Sequence, residues 1–183
     1  MAWIDEITIS DIASEKLRDV AESCGLSDAI RLITKMPGID IYIPTQSKKM
    51  LELQYIKETY NGKNISAIAV HLNIDRSEIE RKIKNGIPVI CKRDVLCTSI
   101  LQIIAERCGY DLVVSLINNF HGERIQVPKN PFGDYKKRYI EKNFTGSNIV
   151  ELALYLEMSE IFVRETIAEM YYKKQLISIF DPA

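Results

Sequence analysis

The sequence predicts a mostly α-helical protein with one short two-stranded ribbon, built from two tandem copies of a single unit. Three observations predict it. First, residues recur at a constant offset of 84: Cys24-Gly25 returns as Cys108-Gly109, Gly38 as Gly122, Pro44 as Pro128, and Tyr55-Ile56 as Tyr139-Ile140. Further along, Gly62 returns as Gly146, Asn64-Ile65 as Asn148-Ile149, and Ala69, Leu72 and Ile83 as Ala153, Leu156 and Ile167. No gap is needed, and the survivors are glycines, prolines and apolar positions, the residues that set backbone and core. Second, apolar residues in each copy recur at helical spacing. Third, each copy holds one segment of strict alternation.

The elements follow in order. Leu17, Val20, Ala21 and Cys24 mark an amphipathic helix, as do Leu101, Ile104, Ala105 and Cys108. Gly25 and Gly109 stop it as left-handed C′ residues. A second short helix carries Ala29, Ile30, Leu32 and Ile33, or Val113, Val114, Leu116 and Ile117. After Pro37-Gly38 or His121-Gly122 come the alternating segments Ile39–Pro44 and Glu123–Pro128, which proline ends because it has no N–H for a ladder. One lone strand per copy leaves its backbone groups without partners. The two strands are therefore expected to pair with each other about a pseudo-twofold axis, as a covalent dimer.

Three helical stretches follow each proline, in the first copy about 47–60, 65–72 and 76–84. Gly62 suits a left-handed stop after the first. Asn64 is an N-cap candidate for the second, and Asn148 with Glu151 resembles a capping box. The third starts at Asp75, with Glu78 three residues on, and in the second copy at Ser159. A short helix, a tight turn and a second amphipathic helix match a helix-turn-helix. Ala69 and Ala153 suit the close crossing, and Leu72, Ile74, Ile79 and Ile83 its apolar seam. The expected boundaries are 1–86 for the first unit (pairing region 10–44, helix-turn-helix 45–86) and 87–93 for a connector. The second unit is 94–174 (pairing region 94–128, helix-turn-helix 129–174), and 175–183 is a tail.

Composition narrows the class. The chain has 183 residues, 46% hydrophobic, with 24 basic and 25 acidic side chains, a profile of a globular protein. No apolar run approaches the roughly 20 residues of a membrane helix, and the start, Met-Ala-Trp-Ile-Asp-Glu, lacks the basic and apolar parts of a signal peptide. The expected location is cytoplasmic. Cys24, Cys91, Cys97 and Cys108 have no metal-type spacing, so reduced thiols are expected, with Cys24 and Cys108 packed on matching apolar faces. There is no glycine-rich phosphate loop, nucleophile elbow or His-rich metal pattern. We expect no enzyme activity, no cofactor and no metal.

The segments PGIDIYIP with YNGKNISAIAVHLNIDRSEIERKI, and HGERIQVP with FTGSNIVELALYLEMSEIFVRETI, resemble the Mor transcription activators, a family first described as phage middle-operon regulators. The resemblance covers nearly the whole chain, twice, and departs from the family in fusing two units. It implies a helical dimerisation region, a strand and a helix-turn-helix in each unit. It also implies a DNA-binding activator whose partners are double-stranded DNA and, as a candidate, RNA polymerase. The fused units would act as an intramolecular pseudo-dimer, with a further homodimer left open.

The copies differ in charge. Residues 45–86 carry eight basic and five acidic side chains, a net of +3; residues 129–170 carry six and seven, a net of −1. Phosphate affinity comes from Lys and Arg, so the first copy is the expected reader. The candidate DNA-contacting residues are Arg76, Ser77, Glu80, Arg81 and Lys84 on the third helix, Lys63 and Asn64 at the start of the second, and Arg164 in the second copy. Counterparts of the first-copy readers are Glu160, Ile161, Arg164, Glu165 and Ala168, so the second copy is expected to bind DNA weakly or to serve another contact. His71 on the second helix of the motif is read by default as an ordinary exposed helical histidine, with a phosphate contact as the alternative. A second reading is a protein-interaction module that keeps the fold without DNA binding. Its surface would be Ile161, Phe162 and the tail Leu176-Ile177-Ser178-Ile179-Phe180; that tail could equally cap the core.

Overall fold

The computed structural model describes residues 3–180, with side chains through Lys173. The described residues are mostly helical, with one two-stranded antiparallel ribbon. The helices are α1 (Glu15–Cys24), α2 (Leu26–Lys35), α3 (Thr45–Thr59), α4 (Ile65–Leu72), α5 (Arg76–Lys84), α6 (Lys92–Val95), α7 (Ser99–Cys108), α8 (Tyr110–Phe120), α9 (Gly133–Asn143), α10 (Ile149–Tyr155) and α11 (Glu160–Phe180). Strands β1 (Asp40–Tyr42) and β2 (Arg124–Gln126) follow α2 and α8, and two 3-10 turns, Trp3–Glu6 and Ile9–Asp11, precede α1. Both strands are shorter than the alternating segments. The described helix α11 runs through the first part of the expected tail, 175–180; its side chains and residues 181–183 lie outside the described residues.

The chain divides into two compact units: residues 19–129, and residues 1–18 together with 130–183. This division cuts across the expected boundaries, because each half of the chain contributes to both units.

In the unit of 19–129, β1 and β2 pair in the register Asp40↔Gln126, Ile41↔Ile125 and Tyr42↔Arg124. Ile125 is the residue 84 positions after Ile41, so the register is centred on that offset. Flanking bonds obey the same relation: Ile43 N donates to Glu123 O at 3.0 Å, and Val127 N to Ile39 O at 2.8 Å. The ribbon buries Ile41, Ile43, Ile125 and Val127 on one face. The other face is exposed and carries the Arg124–Asp40 ion pair at 3.0 Å, with the Arg124 guanidinium 5.4 Å from the centre of the Tyr42 ring. In the same unit α7 packs on α2 and α8, while α3 packs on α6 and α8.

Gly25 and Gly109 do end α1 and α7, but not in the left-handed helical conformation. Gly25 has φ 100°, ψ 144°, and Gly109 φ 98°, ψ 149°, a region essentially reserved for glycine. That conformation lets one residue end a helix and start the next: Gly25 N donates to Ala21 O, and Ala29 N to Gly25 O. Cys108 is buried and Cys24 half-buried, as their face positions predict. Burial raises both thiols above their ordinary pKa.

In the second unit, α9 and α10 both pack on α11 over Ile140, Leu152, Ala153, Leu156, Val163 and Ile167. The residues before α1 lie on α9, an arrangement without a signal in the sequence. Trp3 is buried with its ring edge-on to Phe132, centroids 5.5 Å apart, and the Lys136 ammonium sits 4.3 Å from its centre. Arg138 donates to Asp11 at 2.7 Å. Burial alone would push the Asp11 carboxyl up, yet hydrogen bonds from Thr8 and Arg138 bring it below its ordinary value. Glu6 accepts from Tyr135 at 3.3 Å and from Tyr155 at 2.6 Å. Burial, followed by the Glu6 charge and hydrogen bond, pushes Tyr135 up to about 12.

Two outcomes test these arrangements. A Cβ at residue 25 meets nothing within 4 Å, so Gly25→Ala reads backbone strain alone and should cost about 1–3 kcal/mol in chemical unfolding. Tyr135 ionises less readily folded than unfolded, so its contribution to stability is intact below pH 10.0 and is lost as pH rises through about 12. In spectrophotometric titration, Glu6→Gln should bring this late tyrosine ionisation part of the way back toward 10.0.

Candidate nucleic-acid interface

Within residues 19–129, α3, α4 and α5 close around Ile56, Ile68 and Ile79, packed by Tyr55, Tyr60, Ile65, Ala69, Leu72, Ile74 and Ile83. The apolar seam expected from the sequence is present, with α4 and α5 at their expected bounds. Ala69 lies at the junction for a backbone reason as well as a steric one. Asn73 adopts φ 52°, ψ 49°, and Ile74 N donates back to Ala69 O at 3.1 Å, a six-to-one closure of the helix end. Asn suits that left-handed position through its short polar side chain. At the same offset Glu157 has φ 50°, and Met158 N donates to Ala153 O at 3.0 Å.

The turn aims α5 so that Ile79 and Ile83 face inward. At 100° per residue, Ser77, Arg81 and Lys84 then fall on the opposite face, Glu80 beside them, and Arg76 at the helix start. All five are exposed. Arg76 Nε donates to Glu80 at 2.9 Å, and its Nη1 reaches Ser66 Oγ at 3.5 Å. Arg81 lies 3.9 Å from Glu78. Such exposed pairs contribute about 0–1 kcal/mol, so a phosphate can replace the carboxylate at small cost. Lys82 is different: it lies between Glu52 at 3.1 Å and Glu78 at 3.2 Å, and ties α5 to α3.

Lys63 is exposed at the entry to α4. Asn64 corrects the expected capping. It occupies the N-cap position, but its side chain makes no cap bond. Its Oδ1 accepts from Asn61 N at 3.0 Å and its Nδ2 donates to Thr59 O at 2.8 Å, so the amide closes the loop behind it. Asn148 repeats this with Thr145 and Asn143 and forms no box with Glu151; Asp75 likewise makes no side-chain cap. Ser159 does cap, its Oγ accepting from Phe162 N at 3.2 Å.

Beside α5, a cleft of about 470 Å³ is lined by Lys48, Lys49, Arg81, Lys82 and His121, with Glu52 and Glu78 among them. Sequence reading counted these lysines as charge without placing them, and it put His121 only in a turn. The tertiary fold alone brings α8's end to α3 and α5. His71 lies flat on Tyr55, ring centres 4.4 Å apart, which gives it a stacking partner; the Tyr139–Tyr155 stack at 5.0 Å matches it at the same offset. Arg164, on α11 of the other unit, is exposed and lies 3.4 Å from Glu160.

Removing the loop-closing amide tests the role of Asn64. Asn64→Ala leaves Asn61 N and Thr59 O without their partner and should cost about 1–3 kcal/mol in chemical unfolding, a loss a phosphate-contacting role would not produce in the free protein. No protein-family model, curated protein or solved structure matches this chain.

Proposed function

We propose that the protein is a DNA-binding transcriptional regulator of the Mor activator type, a tandem duplication acting as an intramolecular pseudo-dimer with its first copy as the stronger reader. The observation that carries the reading is the exposed face of α5, where Ser77, Arg81 and Lys84 stand opposite the buried Ile79 and the partly buried Ile83. In this reading α4, the Asn73 turn and α5 are a helix-turn-helix, and the start of α5 enters the major groove. Arg76 and Arg81 exchange their carboxylate partners for phosphate or base edges, and Lys63 and Lys84 add backbone contacts. Asn64 acts indirectly, by holding the loop that presents Lys63.

Support for the duplication comes from backbone conformation as well as residue identity. Gly25, Gly38, Gly62 and Asn73 have positive φ, and so do Gly109, Gly122, Gly146 and Glu157, each 84 positions on. The ribbon register is self-complementary about Ile41 and Ile125, as an isologous dimer contact is. Activation and an RNA polymerase contact enter by analogy with the family.

The test is selection from a random duplex library at two salt concentrations, comparing the native protein with Arg76→Ala/Arg81→Ala. An enriched sequence that the double variant loses is the expected result, with the salt slope reduced by about 2. A folded protein with no enrichment and a flat salt response would overturn the reading in favour of an interaction module.

A further inference from the structure

In the unit of 1–18 and 130–183, α10 and α11 present a surface that differs from that of α4 and α5 in its charge and in Val150 and Ile161, which stand where Ser66 and Ser77 do, while the exposed Leu154 matches an exposed Val70. Val150 and Leu154, one turn apart on α10, are 52% and 75% exposed, and Ile161 on the first turn of α11 is 68% exposed. Val163 and Ile167 are buried, so Ile161, Glu165, Ala168 and Tyr172 fall on the outward face of α11, where Tyr172 is 64% exposed. Single exposed aliphatics are ordinary. Here they gather on two helices packed against one another. In the first half Arg76 touches Ser66 across the same pair of helices; the counterparts of these residues are Glu160 and Val150.

The rim of this face is acidic. Glu151, Glu157, Glu160 and Glu165 are all exposed, in place of Ala67, Asn73, Arg76 and Arg81, and the neighbouring cation Arg164 is held by Glu160 at 3.4 Å. Glutamates repel a phosphate backbone. An apolar row edged by carboxylates is instead complementary to an amphipathic helix whose flanks carry Lys and Arg, the helix-on-groove mode of recognition. We propose that the face of α10 and α11 docks a basic amphipathic helix of a partner protein. The inference rests on the duplicated reading for the choice of matched positions, and its test does not depend on duplex binding.

The probe is a fluorescent synthetic amphipathic helix with Leu on one face and Lys on the other, with a twin carrying Glu for every Lys, titrated with full-length protein at physiological salt. The Lys probe should bind and the Glu twin should not. Leu154→Ser/Ile161→Ser and, separately, Glu160→Lys/Glu165→Lys should each weaken binding about tenfold or more, while Arg76→Ala/Arg81→Ala leaves it unchanged. All of these positions are exposed, so thermal unfolding should be unaffected. Equal binding of the Lys probe by both face variants would overturn the proposal, as would no binding to the native protein. So would concentration-dependent self-association that Leu154→Ser/Ile161→Ser removes, which assigns the face to a second copy. Loss of duplex selection in that variant would assign it to DNA. Duplex selection that fails while probe binding follows the expected pattern would overturn the DNA reading alone.

Discussion

The unit of residues 19–129 depends on the pairing of two three-residue strands that have no other partner among the described residues. A strand of that length leaves backbone donors and acceptors that water must otherwise satisfy, and a two-stranded ribbon alone is at best marginal. Stability comes from covering one face, where Ile41, Ile43, Ile125 and Val127 are buried. Pairing antiparallel with Ile41 opposite Ile125 also imposes a local twofold relation, because the bonds made by Ile43 and Val127 are images of one another. Shifting the register by one residue would turn the isoleucines to water and the Asp40, Tyr42, Arg124 and Gln126 side chains inward.

Exchange extends beyond the ribbon. The short helix α6, which precedes the main helices of the second half, packs on α3 of the first. The segment 3–11, which precedes those of the first half, packs on α9 of the second. Each of these short segments thus packs on a helix from the opposite half of the chain. These short apolar segments are too small to form cores of their own, yet Trp3, Ile7, Val95 and Leu96 are buried.

Turns and loops 84 residues apart match in their hydrogen bonds while the faces beside them differ. The Asn73 and Glu157 turns close identically, through Ala69 and Ala153, and the loop amides of Asn64 and Asn148 bridge equivalent atoms. What varies is the outward face: Arg76, Ser77, Arg81 and Lys84 on one side, Glu160, Ile161, Glu165 and Ala168 on the other. Because the inward residues carry the packing, the outward ones are free to change charge and polarity without disturbing the fold.

The helices, their order and the mutual need of the two strands were legible in the sequence, since helical spacing, alternation and glycine placement are local signals. So was the exposed character of Ser77, Arg81 and Lys84, which follows from Ile79 and Ile83 by helical geometry; Arg76 lies on the side of those isoleucines and is exposed in the first turn of the helix. Asn64 was misread because N-capping and loop bridging use the same side chain, and only the positions of Thr59 and Asn61 distinguish them. Gly25 and Gly109 were read as helix stops alone because sequence does not reveal that the next helix begins at once. The stacking of His71 on Tyr55, the diversion of Lys82 to two glutamates and the docking of Trp3 beside Phe132 depend on residues distant in the chain. Composition and periodicity determine which face of each element turns inward; which carboxylate or ring waits across the gap is decided only when the elements meet.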